Sequence, residues 1–460
     1  MLCTLLCMDL SIPRPFQRIA VTEPRGAHTS KVDRIARVLA RHDGTQPLSL
    51  KKKAVSHQVP KRGDRRLRDS KVDISDLDDI LDIDPVARTC TAEPGVTFVD
   101  LVAATMAYGL VPTVVPELKT ITIGGAVSGC SLESMSFEYG GFHDSCVEYE
   151  VITTDGRVLR CTPTNEHRLV FQMMHGSFGT LGVLSKLTFR LVPAKAYVKV
   201  TYHVFPSLAE YTAAIQSHAD AHDVDFMDGI IHGPHKFVLC LGKFVDEAPY
   251  THCYDWVRVY WESTGKRTED YLRTADYFFR YDRGVTNPTP RSFIGRLLFG
   301  KLLSSARLLR LAEHGNRFLS ASRPNVTVDL FLPIVKLDPF MRWYRDAIDH
   351  FPLWCVPYRR VRNYEWIADG YLDGIDSDLF IDIAIYGLAQ PKGRNYYKEI
   401  EDALLRVQGI KTLISHNFYD EKTFWKIWNK PNYDAVKAIT DPKNLLRDLY
   451  TKTCRAARGL

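Results

Sequence analysis

Between Glu117 and Gly140 the chain reads ELKTITIGGAVSGCSLESMSFEYG, an apolar β-branched run followed by Gly124 and Gly125, small residues and Gly129. In a strand-like segment glycine forfeits side-chain packing and backbone entropy, so adjacent glycines signal that something comes close to bare main chain. Successive N–H groups without Cβ atoms can cradle an anion or a flat ring. HGSFGTLGVL repeats the device, with Gly176, Gly179 and Gly182 just ahead of a strand. Upstream, Lys51, Lys52 and Lys53 with Ser56 and His57 form a basic loop suited to a pyrophosphate, and a solvated charged face fits those lysines equally. A different chemistry is written in LFIDIAIYG, where alternation puts Phe380, Asp382, Ala384 and Tyr386 on one face of a strand. An aspartate among apolar neighbours is costly unless it is paired or working. Its structural alternative is a buried arginine such as Arg280 or Arg283.

Elements must hold these residues in place. SKVDRIARVLARHDG predicts a helix with Val32, Ile35, Val38 and Leu39 on one face and Gly44 beyond its end. Strands are expected in DDILDID and ARTCTAE, and a helix from Thr97, its N-cap, to Tyr108 before Gly109. Asp155-Gly156 divides CVEYEVITTDGRVLRCT into a hairpin, and LSKLTFRLVPA alternates until Pro193. Short strands with inserted helices make this first part an α+β domain. Beyond it, KFVLCLGKF, VTVDLFLPI and LFIDIAIYG read as strands, and helices are expected near 207–218, 293–313, 340–350, 397–407 and 420–440.

The totals narrow the class. A chain of 460 residues suggests two domains, and 45% apolar with 25% charged residues is ordinary for a soluble protein. The net charge of +6 is mild, and the basic stretch 49–71 lacks aromatics for stacking bases, so a nucleic-acid partner is not expected. The ten cysteines form no C-x-x-C pair and no metal-site spacing; reduced thiols in an intracellular protein, with no metal, are expected. The N-terminus is apolar for only about ten residues before Pro13, against the roughly 20 of a spanning helix. A cytoplasmic or peripherally membrane-associated location follows. Dinucleotide-type G-x-G-x-x-G, Walker A, H-E-x-x-H and G-x-S-x-G motifs are absent. Residues 291–311 combine leucines with Arg296, Arg307 and Arg310 on one helical face. Such a helix suits a membrane interface, and a core or dimer contact equally.

ELKTITIGGAVSGCSLESMSFEYGGFH, VEYEVITTDGRVLRCTP and GTLGVLSKLTFRLVPAK resemble the FAD-binding domain of the vanillyl-alcohol-oxidase (PCMH-type) superfamily. The SLES and YGGF features between Gly125 and Phe142 resemble the Δ24-sterol reductase branch. So do DYFFRYDRG, FPLWCVPYR, LFIDIAIYG and YDEKTFWKIWNKPNYD. The resemblance implies an α+β protein with a two-subdomain FAD-binding domain over 1–194. An α+β substrate (cap) domain would follow over 195–460, its C-terminal segment returning to the flavin. Carried onto this chain, Thr122, Ile123, Gly124, Gly125, Ala126, Gly129, Ser131, Glu133 and Ser134 would line the flavin. Gly179 and Thr180 would support it, with Lys53 and Ser56 toward the pyrophosphate. Many relatives carry a glycine-rich, His-containing first loop; here no glycine precedes His57, so non-covalent FAD is expected. The implied reaction moves a hydride from reduced flavin to an alkene of a sterol or prenyl-type lipid, with NADPH as electron donor. The required acid would be Asp382 or Tyr386, then Glu133. The alternative activity is a flavin oxidase of a sugar, alditol or aldonolactone.

Overall fold

The computed structural model describes residues 25–54, 68–255, 258–282 and 325–455. Ser56, His57, Arg283 and the segment 291–311, including the helix expected near 293–313, lie outside the described residues.

Helix α1 (Arg25–Ala40) starts earlier than the sequence pattern suggests. It buries Val32, Ile35 and Leu39 against Leu48 and Val72 of a parallel pair, β1 (Leu48–Lys51) and β2 (Ser70–Asp73). Val38, expected on that face, is 46% exposed: burial follows the 32–35–39 stripe, and Ala36 takes the remaining buried place. A second sheet contains β3 (Ile80–Asp84), β4 (Thr89–Ala92), β5 (Leu110–Pro112), β6 (Cys146–Ile152), β7 (Val158–Cys161) and β8 (Val183–Pro193). Its order is β3-β4-β8-β6-β7, with β5 also paired to β8. The Asp155-Gly156 turn joins β6 to β7, with Gly156 at φ +90°. Helix α2 (Phe98–Met106) is capped by Thr97, whose side chain accepts from the Asp100 N–H.

The TITIGGAVSG segment departs from its strand-like reading. Ile123–Gly129 form a short helix, α3, capped by the Thr122 side chain, which accepts from the Gly125 N–H at 3.3 Å. The β-branched run contributes only one bridge, Thr97 to Thr122. A threonine N-cap followed by Ala126 and Val127, which bury against the core, outweighs two glycines that favour neither structure. Cys130 ends the helix in the left-handed region at φ +55°.

The chain leaves β8 at Pro193 and enters β9 (Tyr197–Phe205) of a larger, wholly antiparallel sheet. Its other members are β10 (Phe226–Gly233), β11 (Lys236–Val245), β12 (Glu269–Arg273), β13 (Val326–Pro333), β14 (Leu353–Arg359), β15 (Leu379–Leu388) and β16 (Ile410–Lys411). The order is β12-β9-β11-β10-β14-β15-β13-β16. Alternation divides the labour of each strand. Ile381, Ile383 and Ile385 pack with Val328, Leu330 and Leu332 beneath helices Leu208–Ala221, Leu337–Ala347 and Tyr396–Arg406. The opposite face, with Phe380, Ala384, Trp354 and Val356, shares a core with Ala126, Val127 and Phe142 of the first part.

The helix expected over 420–440 is two, Glu421–Ile427 and Lys430–Thr440. Asn429 starts a new cap, with Pro431 in the first turn, where its missing N–H costs nothing. The chain then returns to its beginning: Leu48 N–H donates to the Leu445 carbonyl at 2.7 Å, beside a Leu48–Leu446 bridge. Among the described residues no helix is long and apolar enough to cross a membrane.

Candidate active site

One wall is α3. Ile123, Ala126 and Val127 are buried, while Gly124, Gly125, Ser128 and Gly129 form its half-exposed side. The glycines have different reasons. A Cβ on Gly124 would stand 2.5 Å from Pro94 Cβ, and Gly124 N–H donates to the Pro94 carbonyl at 3.0 Å. Pro94 alone is thus reason enough for a glycine at position 124. A Cβ on Gly125 would meet only Thr122 Oγ1, at 3.1 Å, and one on Gly129 would meet nothing within 4 Å. Ser131 is half-buried and Ser134 buried just beyond.

The acids lie on the large sheet. Register pairs Phe331 with Asp382, Asp329 with Ala384 and Thr327 with Tyr386, so all six share a face of the large sheet. Tyr386 donates its hydroxyl to Asp329 Oδ1 at 2.6 Å, and Asp382 Oδ1 accepts the Leu330 N–H at 3.1 Å. Neither aspartate has an ion-pair partner among the described residues; of the two arginines weighed for Asp382, Arg280 pairs with Glu133 and Asp228 instead, and Arg283 lies outside the described residues. Burial raises the Asp382 carboxyl well above its ordinary range, and the neighbouring Asp329 charge adds to it. Asp329 rises to about 6 through burial, against the lowering effect of the Tyr386 hydroxyl. Glu117, half-buried ahead of α3, is pushed by burial to about 8. Burial thus shifts all three carboxyls toward their protonated forms.

Glu133 has a different environment. Its carboxylate accepts from the Ser134 N–H and hydroxyl and lies 3.0 Å from the Arg280 guanidinium, which also meets Asp228 at 3.1 Å. Asp228 accepts from Tyr281 at 2.8 Å and Trp354 Nε1 at 3.0 Å. The guanidinium packs over Tyr277, its centre 4.1 Å from the ring centroid. All three charged groups are buried, two anions around one cation. Burial raises the Glu133 carboxyl, and Arg280 opposes that shift. The arrangement anchors the loop after α3 to β10 and to the segment following helix Thr274–Phe278.

The third wall is the 175–182 loop. Gly176, Gly179 and Gly182 have φ of +67°, +66° and +106°, and Phe178 joins them at +50°. Gly176 N–H and Phe178 N–H donate to the Val127 and Ser128 carbonyls of α3 at 3.2 and 3.0 Å, which brings the two glycine-rich segments together. Thr180 is buried and donates its hydroxyl to the Ser177 carbonyl at 2.7 Å. Gly176 and Ser177 border a cavity walled by Trp366, Trp425, Trp428 and Tyr433. There, Ser177 Oγ and the indole N–H groups of Trp366 and Trp425 have no hydrogen-bond partner among the described residues. The cavity has room for about one water molecule, which could satisfy these donors. Lys51 pairs with Asp73 at 2.7 Å and Lys53 with Asp78, both at the surface, where such pairs contribute little.

Sequence reasoning did not single out Asp329, Asp228 or Glu117. Asp329 carried a usable signal, because VTVDLFLPI sets an acid among apolar strand residues just as LFIDIAIYG does. The others become visible only when α3 meets the large sheet.

Residues 57–162, which include α3 and the loop carrying Glu133, match the FAD binding domain family. The class the match indicates is that of proteins carrying an FAD binding domain. Within it the chain is similar to the Delta(24)-sterol reductase of Homo sapiens, 26% identical over 402 residues, covering 83% of this chain and 77% of that protein. It is similar also to the Delta(24)-sterol reductase of Pisum sativum, 24% identical over 443 residues, with 86% and 78% covered. A shorter likeness, 26% over 140 residues, joins 30% of the chain to 26% of cytokinin dehydrogenase 5 of Arabidopsis thaliana. The resemblance read from the sequence therefore extends along most of the molecule.

Proposed function

We propose that this chain is an FAD-dependent reductase that adds hydride and proton across a carbon–carbon double bond of a sterol or prenyl-type lipid, with NADPH as electron source. The observation that supports it best is the Asp329–Asp382–Tyr386 group, carboxyls without a cation partner among the described residues, on a sheet face that shares a core with Ala126 and Val127 of α3. Residues 1–194 would hold the cofactor and 195–460 the substrate. FAD would be held without a covalent bond by Thr122, Ile123, Gly124, Gly125, Ala126, Gly129, Ser131 and Ser134, with Gly179, Thr180, Lys53 and Ser56 completing its surroundings. Glu133, held by Arg280 and Ser134, orients the loop that carries them. Bound FAD in its reduced form supplies the hydride.

The chain's own residues supply the rest. An isolated alkene has no polar handle, so the apolar face around Phe331, Val356 and Phe380 places it, and exclusion of water protects the hydride source. As one alkene carbon gains the hydride, the other needs a proton, and a carboxyl whose pKa burial has raised can give it at neutral pH. Asp382 is the donor in this reading, and Asp329 with the Tyr386 hydroxyl shares and returns the proton from solvent. The half-buried tyrosine, its hydroxyl also raised by desolvation, remains a neutral phenol throughout.

The test is direct. The purified protein should show a flavin spectrum that is lost on acid precipitation into a yellow supernatant, and anaerobic NADPH should bleach it. A Δ24-unsaturated sterol should restore the colour and leave as the saturated product. Bleaching by alditols with peroxide release, and none by NADPH, would replace this reading with an oxidase.

A further inference from the structure

The C-terminal segment reaches the third wall with two lysines. Lys452 donates to the Phe178 carbonyl and lies 3.4 Å from the Gly179 carbonyl. Lys437 donates to the Thr180 carbonyl at 3.1 Å, to the Leu446 carbonyl at 2.6 Å and to Asp441 at 2.7 Å. Three successive carbonyls of the glycine-rich loop are thus held by ammonium groups from a segment more than 250 residues away in sequence, judged from the 257 to 274 residues that separate the partners. The loop needs holding, because Phe178 sits at φ +50°, a region disfavoured for a side chain of that size. Asp441 ties the same segment to the turn between β6 and β7 by accepting the Thr154 hydroxyl at 2.7 Å, and Arg447 pairs with Asp69. A Cβ on Gly179 would lie 3.6 Å from Lys452 Nζ and 3.7 Å from Leu50 Cδ1, so this ammonium stands where the loop meets the strand leading to Lys51 and Lys53. Lys452 belongs to a single π-turn, Thr451–Arg455, a geometry that recurs at functional sites.

We infer that Lys452 is a positioning residue for FAD: it fixes the peptide planes of residues 178–180, so that docking of the C-terminal segment and cofactor binding are one coupled equilibrium. The inference rests on the FAD reading above. Coupling is reciprocal, so FAD must tighten the C-terminal segment by the factor by which that segment tightens FAD.

The experiment measures FAD affinity of the full-length apoprotein by flavin fluorescence for wild type, Lys452→Met and Lys452→Arg. It adds amide exchange over residues 441–455 of the wild type with and without FAD. The expected result is an FAD dissociation constant raised about tenfold or more in Lys452→Met, largely restored in Lys452→Arg, with apoprotein melting unchanged. Exchange in 441–455 should slow by a similar factor when FAD binds the wild type. Equal FAD affinity in Lys452→Met, or exchange in 441–455 indifferent to FAD, would overturn the inference. Should Lys452→Met fail to fold, the wild-type exchange result decides alone. A wild type that takes up no FAD at all would overturn the parent reading instead, a separate outcome.

Discussion

Asp382 and Glu133 are both buried carboxylates near α3, yet the structure gives them different fates. Glu133 faces a guanidinium at 3.0 Å, while Asp382 faces a second aspartate and a backbone N–H. Charge next to charge decides the role. Asp382→Asn removes the proton and keeps the shape, so turnover of a Δ24-unsaturated sterol should fall by about 10²-fold or more, with the flavin spectrum intact. Tyr386→Phe should cost less, about tenfold, because the phenol only steadies Asp329. The donor must be protonated in the free enzyme, and burial has raised these groups. Activity should therefore hold on the acid side and decline as rising pH ionises the Asp382 carboxyl, which burial has raised, with Asp329 titrating at about 6 beside it. A rate that climbs with pH would exclude a carboxyl donor.

At the scale of elements, α3 and α1 behave as parts with separate tolerances. Gly124→Ala would drive a Cβ into Pro94 and should destabilise the fold by about 1–3 kcal/mol, read by chemical denaturation of the apoprotein. Gly129→Ala meets open space, so it should fold normally and weaken FAD instead. If both lost only stability, α3 would be packing and nothing more. Helix α1 is held to the sheet by His28, which bridges Glu93 at 2.7 Å and Glu150 at 2.9 Å. Burial lowers the imidazole's pKa, but the hydrogen bonds and charges of Glu150 and Glu93 outweigh it and raise it to about 9 from an ordinary 6.5. Burial likewise opposes the lowering of Glu150 to about 2, and hydrogen bonds from His28 and Ser185 with the Lys186 charge win. A raised histidine stabilises fully below 6.5 and loses that contribution as pH rises through 9; a depressed glutamate stabilises above 4.5 and loses it as pH falls through 2. The melting difference between wild type and His28→Gln should be greatest near pH 6 and shrink toward about pH 10.

For the whole molecule, strands were easiest to read because alternation against a single core leaves a period of two, and β11, β13 and β15 fall where the pattern predicts. Local chemistry also read well at Thr97 and Asp155-Gly156. Residues whose meaning depends on a distant partner were opaque: Gly124 is explained by Pro94, Arg280 by Glu133 and Asp228, and Lys452 by Phe178. Arg280 is the strongest case, since it joins the loop after α3 to β10 and so ties the first part of the chain to the large sheet. Buried charge of this kind is held by balance rather than by attraction alone. Arg280→Met leaves Glu133 and Asp228 facing each other in a buried site, and should cost about 3–5 kcal/mol of unfolding free energy. Adding Glu133→Gln to that variant removes one of the opposed charges and should recover part of the loss, whereas Glu133→Gln alone should destabilise. If the two changes were simply additive, the three groups would not form one unit, and the joint between the loop after α3 and the large sheet would have to be sought elsewhere.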